Sequence, residues 1–493
     1  MLKKIRIGLA WLFWTGITLL LLDFTGSLHA WLGWMAKVQF LPAVLALNAG
    51  VVAALVLLTL LFGRVYCSVI CPLGVFQDGI SWLGTHRKKP AYKYKKELKW
   101  LRYGTLVLFI ASLLAGGNVL VSILAPYSAY GRMVTNLLQP VYLWGNNLLA
   151  AIAQHYNSYA FYTQEVWLKS AWSLGIAAAT LIVLVLLAWK GGRTWCNTVC
   201  PVGTILGFIS RFSMFRPTID ESQCVRCHSC ERRCKAQCIE ISKERVHIDH
   251  SRCVSCFNCL DSCPKGGLRY RFAWRKKADA AVDAKRRAFL VGTTAAVGAA
   301  ALKGVTAQAQ EAAKKVDGGF AQLLPKQAPE RSVPVTPPGS KSVKHFYQHC
   351  NACQLCIAQC PNQVLRPSGS LEHLMEPEMG FEKGWCRPEC TRCSELCPTG
   401  SIVRITKEEK TQYHVGTAQV NRELCLTEHD THCGQCASKC PVGAISMVKA
   451  EGHRFSIPSV NAALCSGCGA CEYYCPVRPL SAITVNGKYH HEA

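Results

Sequence analysis

Acidic side chains are scarce: 30 Asp and Glu stand against 55 Lys and Arg in 493 residues, a formal charge of +25. That excess would ordinarily suggest a nucleic acid, but no recognition motif accompanies it, and nucleic acid is excluded as a partner. Histidine is missing from every long apolar stretch. No haem is therefore expected, because b-type haem inside a bilayer needs histidine ligands there. There is no glycine fingerprint between a strand and a helix, which removes nucleotide and flavin folds, and no hydrolase constellation. Cysteine, by contrast, is abundant, with 29 residues. Disulfide scaffolds explain such density in short secreted domains without a core. This chain is neither short nor core-poor, since 50% of it is hydrophobic.

The apolar residues concentrate before position 190. Four stretches, Ile5–Leu22, Phe40–Gly63, Leu101–Ala125 and Ala171–Trp189, are long enough to cross a bilayer core and predict an α-helical membrane domain of four transmembrane helices over residues 1–215. The connection from Arg64 to Arg102 carries Arg64, Arg87, Lys88, Lys89, Lys93, Lys95, Lys96, Lys99 and Arg102, whereas Tyr127–Ser170 carries only Arg132 and Lys169. By the positive-inside rule the basic connection and both ends of the domain are cytoplasmic. Gly63-Arg64-Val65-Tyr66-Cys67 through Cys71-Pro72-Leu73-Gly74 matches Gly192-Arg193-Thr194-Trp195-Cys196 through Cys200-Pro201-Val202-Gly203, so the domain is read as two duplicated helix pairs.

Residues 216–275 form a compact module with two cysteine runs: Cys224, Cys227, Cys230, Cys234 and Cys253, Cys256, Cys259, Cys263. This is the spacing of bacterial two-cluster ferredoxins, in which three thiolates of one loop hold three irons of a [4Fe–4S] cube and the other run supplies the fourth. Cys224, Cys227, Cys230 and Cys263 make one ligand set; Cys253, Cys256, Cys259 and Cys234 make the other. Zinc sites normally use separated cysteine pairs. Cys238 competes with Cys234, but alignment with Cys397-Pro398-Thr399-Gly400-Ser401 and Cys440-Pro441-Val442-Gly443-Ala444 puts Cys238 at the small-residue position, as a packing thiol. The Cys224–His228 segment also fits a haem c attachment pattern, which is set aside because both cysteines are already used. Ile239, Ile241, Val246 and Ile248 alternate with polar residues and predict a hairpin between the runs.

Residues 285–310 open with Lys285-Arg286-Arg287 and resemble a twin-arginine export signal or anchor, with Ala307-Gln308-Ala309 as a cleavage-type site. A linker over 311–342 leads to an α+β ferredoxin-like domain over 343–493. Its four runs are Cys350, Cys353, Cys356, Cys360; Cys386, Cys390, Cys393, Cys397; Cys425, Cys433, Cys436, Cys440; and Cys465, Cys468, Cys471, Cys475. Sixteen ligands support four clusters, and sequence leaves open which runs pair. The total is six [4Fe–4S] clusters of roughly −2 charge each when oxidised, which cancels about half of the basic excess. Cys67, Cys71, Cys196 and Cys200 remain. Each pair has i, i+4 spacing, which in a helix puts both thiols on one face. They read either as an extra redox or metal site or as inert thiols in a turn.

At these motifs the chain resembles the ferredoxin-type components of the periplasmic nitrate reductase system. Residues 1–275 are similar to the NapH-type membrane component and residues 285–493 to the exported four-cluster NapG-type component. The resemblance implies a multi-pass protein of the cytoplasmic membrane, in contact with lipid and the quinol pool, with its first cluster module cytoplasmic and its C-terminal domain periplasmic. It also implies a quinol dehydrogenase component that takes electrons from quinol or menaquinol and hands them to a periplasmic reductase or electron carrier. The spacing Cys386-x3-Cys390 departs from the family pattern and leaves the final acceptor open. A second class, a redox-linked assembly or regulatory protein for a partner reductase, stands beside the first.

Overall fold

The computed structural model describes residues 1–87, 92–242, 246–273, 315–316 and 322–492. The twin-arginine-like segment 285–310 and the start of the linker lie outside the described residues. The long helices of the N-terminal half are α1 (Leu2–Leu22), α2 (Ala49–Phe62), α3 (Lys99–Ala115) and α4 (Ala171–Gly191). Only α1 and α4, with 21 residues each, are continuous and apolar enough to cross a membrane among the described residues. At 1.5 Å per residue each is about 31 Å long.

The other two expected spans are broken, and the reason is local. Leu47 is left-handed (φ 52°), and Asn48 caps α2 by accepting the Val51 N–H at 3.2 Å, so Phe40–Leu45 is a separate short helix. Gly116, at φ 76°, ends α3, and a new helix runs over Asn118–Leu124. The hydropathy of these stretches is continuous; their backbone is not. Segments read from sequence as connections are also helical: Pro72–Arg87 at one end, and Pro126–Met133 and Gln139–His155 at the other, joined by a π-helical turn over Val134–Leu138. A proline in the first turn of both Pro126–Met133 and Gln139–His155 was the available signal.

The two cysteine-rich parts pack on opposite ends of these helices. On one end, Lys3 pairs with Asp261 at 3.1 Å, the Met214 N–H donates to Leu60 O at 2.8 Å, Arg102 donates to Ser251 O at 3.2 Å, and the Arg193 N–H donates to Lys235 O at 2.9 Å. Those contacts touch the start of α1, the end of α2, the start of α3 and the residues just past α4. On the other end, Gln359 donates to Leu20 O at 2.5 Å, Asn118 donates to Tyr347 O, and Gln354 donates to Ser173 Oγ at 2.8 Å. Successive helices therefore run antiparallel. One buried cluster continues from Cys234 and Ile239 through Cys67, Cys71 and Tyr130 to Cys353 and Leu396.

The first module is closed by an antiparallel pair, Phe215–Ile219 with Leu268–Phe272, and contains the hairpin read from the alternation, with Ile239 opposite Ile248 and Ile241 opposite Val246. The C-terminal domain is built on three two-stranded units, the longest pairing His414–Val420 with Ile483–Glu492. Its core centres on Val335, Phe381, Val415 and Val485.

Candidate iron–sulfur centres

A thiol can hold a cube only if the backbone turns sharply enough to present several sulfurs to one point. In four runs the residues on both sides of the second cysteine are left-handed: Arg226 and His228, Ser255 and Phe257, Ala352 and Gln354, Gly467 and Gly469. This conformation disfavours non-glycine residues, and its recurrence at one place in each loop marks a shared functional demand. The residue three places after the fourth cysteine is left-handed as well in five runs, at Gln237, Gly266, Gln363, Gly400 and Gly443. Gln237 thus puts Cys234 in the same backbone register as Cys263, Cys360, Cys397 and Cys440.

Backbone amides then point at sulfur. Ala352 N–H donates to Cys350 Sγ at 3.4 Å, Ile402 N–H to Cys397 Sγ at 3.5 Å, Ala418 N–H to Cys465 Sγ at 3.4 Å, and Ala444 N–H to Cys440 Sγ at 3.3 Å. Such donors stabilise thiolates and tune cluster potential. Without iron the same burial disfavours the charged form: it pushes Cys230 and Cys436 each up to about 11. Iron binding displaces those protons.

The cavities show which cysteines converge. One is lined by Cys224, Cys227, Cys230 and Cys263, and another by Cys253, Cys256, Cys259 and Cys234, so each run of the first module lends its last thiol to the other. Cys238 also lines the second cavity, 1% exposed, with its sulfur 3.5 Å from Cys234 Sγ. In the C-terminal domain Cys386, Cys390 and Cys393 share a cavity with Cys360, while Cys353 and Cys356 interact with Cys397. Cys436 lies among Cys425, Cys433 and Cys475, and Cys468 lies beside Cys465 and Cys440. The first run therefore faces the second and the third faces the fourth, a pairing that spacing alone left open. Among the described residues no three ligand side chains converge on a single metal ion.

The remaining thiols do not share one helix face. Cys67 lies in the short helix Val65–Val69 and Cys196 in Thr194–Thr198, while Cys71 and Cys200 fall in the turns before Pro72 and Pro201. The proline after each second cysteine starts a new helix. All four thiols are nevertheless buried and brought together.

Comparison with known proteins agrees with these centres. A family model described as a 4Fe-4S binding domain matches twice, at residues 45–90 and 171–219, in register with the internal repeat, and a 4Fe-4S dicluster domain matches residues 431–478. The ferredoxin-type protein NapF of Escherichia coli (strain K12) is 31% identical over 156 residues, which are 31% of this chain and 87% of that protein. The methylamine utilization ferredoxin-type protein MauM of Methylobacillus flagellatus is 29% identical over 30% of this chain and 66% of its own length. The ferredoxin-type protein NapH of Haemophilus influenzae is 26% identical over 40% of this chain, which spans about half, 55%, of that relative. Folded around [4Fe–4S] sites, the molecule is an iron–sulfur electron-transfer protein. It belongs to the 4Fe–4S ferredoxin-type proteins that include NapF, NapH and MauM.

Proposed function

We propose that the chain joins a NapH-like half to a NapG-like half in the cytoplasmic membrane, oxidises quinol and delivers the electrons to a periplasmic reductase or carrier. The observation that carries this is a cavity of about 170 Å³ between the helical domain and the C-terminal domain. Its wall is the π-turn with Gln139, the segment Tyr162–Lys169, and the Cys360-Pro361 loop of a cluster run. π-turns recur at functional sites.

The lining suits a ring with a polar group at each end. Lys169 Nζ donates to Gln139 Oε1 at 3.4 Å, and Gln139 Nε2 donates to Ala358 O at 2.9 Å. Thr135 is 4% exposed and its hydroxyl has no hydrogen-bond partner among the described residues, so a donor or acceptor is left for a ligand. Burial holds Lys169 down to about 8, although the Cys360 and Cys356 thiols oppose the shift. Phe24 and Tyr162, with ring centroids 5.8 Å apart, border the apolar side. A quinol oxidised here loses two protons and two electrons. Lys169 and Gln139 hold the head group, and Glu165, whose side chain is 53% exposed, offers the protons a route to water. When bound, the clusters supply one-electron acceptors, and the Cys360 loop keeps one acceptor set against the cavity.

Placement in a bilayer is supported by the outward surface. Val107, Leu114, Leu148 and Leu186 are between 64% and 82% exposed, a belt too apolar for water. Exposed tryptophans mark both rims, Trp100 and Trp189 at one and Trp31 and Trp172 at the other, as in aromatic girdles. Charge bias puts the first module inside and the C-terminal domain outside. Its half-exposed Cys425, Cys433 and Cys436 set is then the exit toward a partner.

Anaerobic mixing of the oxidised full chain with a menaquinol analogue, followed by electron paramagnetic resonance, tests the reading. Rapid cluster reduction, slowed at least tenfold by Gln139→Leu, is expected. A photoreactive quinone should label peptides from 135–169 or 357–363. No reduction with an intact helical domain sinks the quinol assignment and favours the assembly role.

A further inference from the structure

The C-terminal domain meets the helical domain at a ligand loop. Cys353 and Leu355 are buried in one apolar cluster with Tyr127 and Tyr130 of the helical domain, whereas Cys356, Cys386 and Cys465 pack in or against the core of the C-terminal domain. The helix Pro126–Met133 makes the contact. Tyr127 and Gly131, four residues apart, share one of its faces, and a Cβ on Gly131 would meet Cys353 O at 2.3 Å. Backbone lies on backbone there, so the side chains around Gly131 are held against the Cys353 loop.

Two of those side chains end in polar atoms without partners. Arg132 is 0% exposed; its Nη1 donates to Ser122 O at 2.7 Å, but Nε and Nη2 have no hydrogen-bond partner among the described residues. Tyr127 is 1% exposed and its hydroxyl is equally unpaired among them. Both lie within electrostatic reach of thiols in one ligand set: Arg132 of Cys353, and Tyr127 of Cys353 and Cys397. Among the described residues no carboxylate pairs with Arg132.

A guanidinium keeps its proton in proteins, and a buried cation without an anion is strongly destabilising. A neutral thiol does not answer it. A [4Fe–4S] core with four thiolates carries roughly −2 when oxidised and gains a further negative charge on reduction. The arrangement that strands Arg132 beside thiols therefore suits it beside a cluster. Two other charged groups face the same ligand set. Lys169 approaches it at Cys356 but hydrogen-bonds Gln139 at 3.4 Å, and Glu376 approaches it at Cys350, paired with His373 at 3.2 Å. Glu376 opposes Arg132, yet each of these two groups has a side-chain partner and Arg132 has none.

We infer that Arg132 and Tyr127 of the helical domain serve the cluster held by Cys350, Cys353, Cys356 and Cys397: as cation and hydroxyl donor they favour its reduced state and raise its midpoint potential across the domain interface. Reduction adds one electron to the core and neither forms nor breaks a bond at the thiolates. Favouring that state at the face toward the helical domain suits a centre through which electrons enter the C-terminal domain. The inference rests on this ligand set being an iron–sulfur centre and not on quinol.

A redox titration of the full chain with dithionite as reductant, followed by electron paramagnetic resonance, tests it. In Arg132→Met, with iron unchanged, one spectral component should shift. At the potential where half of that component is reduced in the wild type, its reduced-to-oxidised ratio should fall about tenfold, or about 59 mV for one electron. Arg132→Lys keeps the charge and should restore most of the loss. Tyr127→Phe removes only a hydroxyl and should lower the ratio about threefold. The component that moves should be the one missing from Cys353→Ala. An unmoved potential in iron-loaded Arg132→Met, or a moved component that survives in Cys353→Ala, overturns the inference. If Arg132→Met does not accumulate, Tyr127→Phe decides, since an unmoved potential there overturns it as well. A wild-type chain about four irons short of 24 that lacks this component removes the ligand set and the inference with it, whereas full iron with unmoved potentials overturns this inference alone.

Discussion

The backbone amide of Cys386 donates to the carbonyl of Cys468 at 2.9 Å. This one bond joins the two cluster pairs of the C-terminal domain, and Lys410 lies at the junction, donating to the carbonyls of Arg387 at 2.6 Å and Cys390 at 2.5 Å. A cation beside a cluster thiolate favours the reduced, more negative state. Lys410→Met should therefore lower the midpoint potential of one cluster, on the order of 50 mV, or roughly 1 kcal/mol. A redox titration followed by electron paramagnetic resonance checks this. An unmoved potential would show that the amine is solvated rather than coupled to Cys386.

The shared register of Cys234 with the other fourth cysteines favours it over Cys238 as the ligand. Cys234→Ala should cost one cluster, about four irons, while Cys238→Ala should leave the iron count intact. Because the two sulfurs are 3.5 Å apart, rescue of Cys234→Ala by Cys238 is the outcome that would reverse the assignment.

Docking of the C-terminal domain depends on a close approach at Gly131, where a Cβ would meet Cys353 O at 2.3 Å. Gly131→Val should weaken docking by about 1–3 kcal/mol, as overpacking does. Faster proteolysis of the linker with unchanged iron content is the expected signature. Loss of iron as well would mean that the contact shapes the Cys353 loop itself.

Glu376 gives the same interface a pH dependence. Burial pushes its carboxyl from 4.5 up to about 7, against the hydrogen bond to His373 at 3.2 Å. Below about 4.5 both folded and unfolded chains hold this proton, and the carboxyl costs nothing. Between 4.5 and 7 only the folded chain keeps it, so stability falls as pH rises, by about 3 kcal/mol in all. Glu376→Gln should flatten the urea midpoint between pH 5.5 and 8, whereas a slope equal to the wild type would place the titration elsewhere.

Opposite-end packing of the cluster modules gives a topological test. In sealed vesicles of one orientation, protease should cut within either the first module or the C-terminal domain, never both. Cleavage of both in intact vesicles would remove the trans-membrane arrangement.

Ligand chemistry was legible because it is local. Three cysteines two residues apart, a fourth three further on and a proline specify a cube-binding loop wherever they occur, and Ile239, Ile241, Val246 and Ile248 announced their hairpin by alternation. Helix ends were harder. Hydropathy carries no record of Leu47 turning left-handed or of Gly116 stopping α3, and it concealed the helices Pro126–Met133 and Gln139–His155 in a stretch read as a connection. Run pairing, the meeting of Arg64 with Cys196 and of Arg193 with Cys67, and the cavity beside Cys360 join residues far apart in the chain. Spacing fixes which atoms can bind iron, but only the folded chain brings distant thiols, cations and amides to one point, because those contacts are set by packing between elements and not by neighbours in sequence.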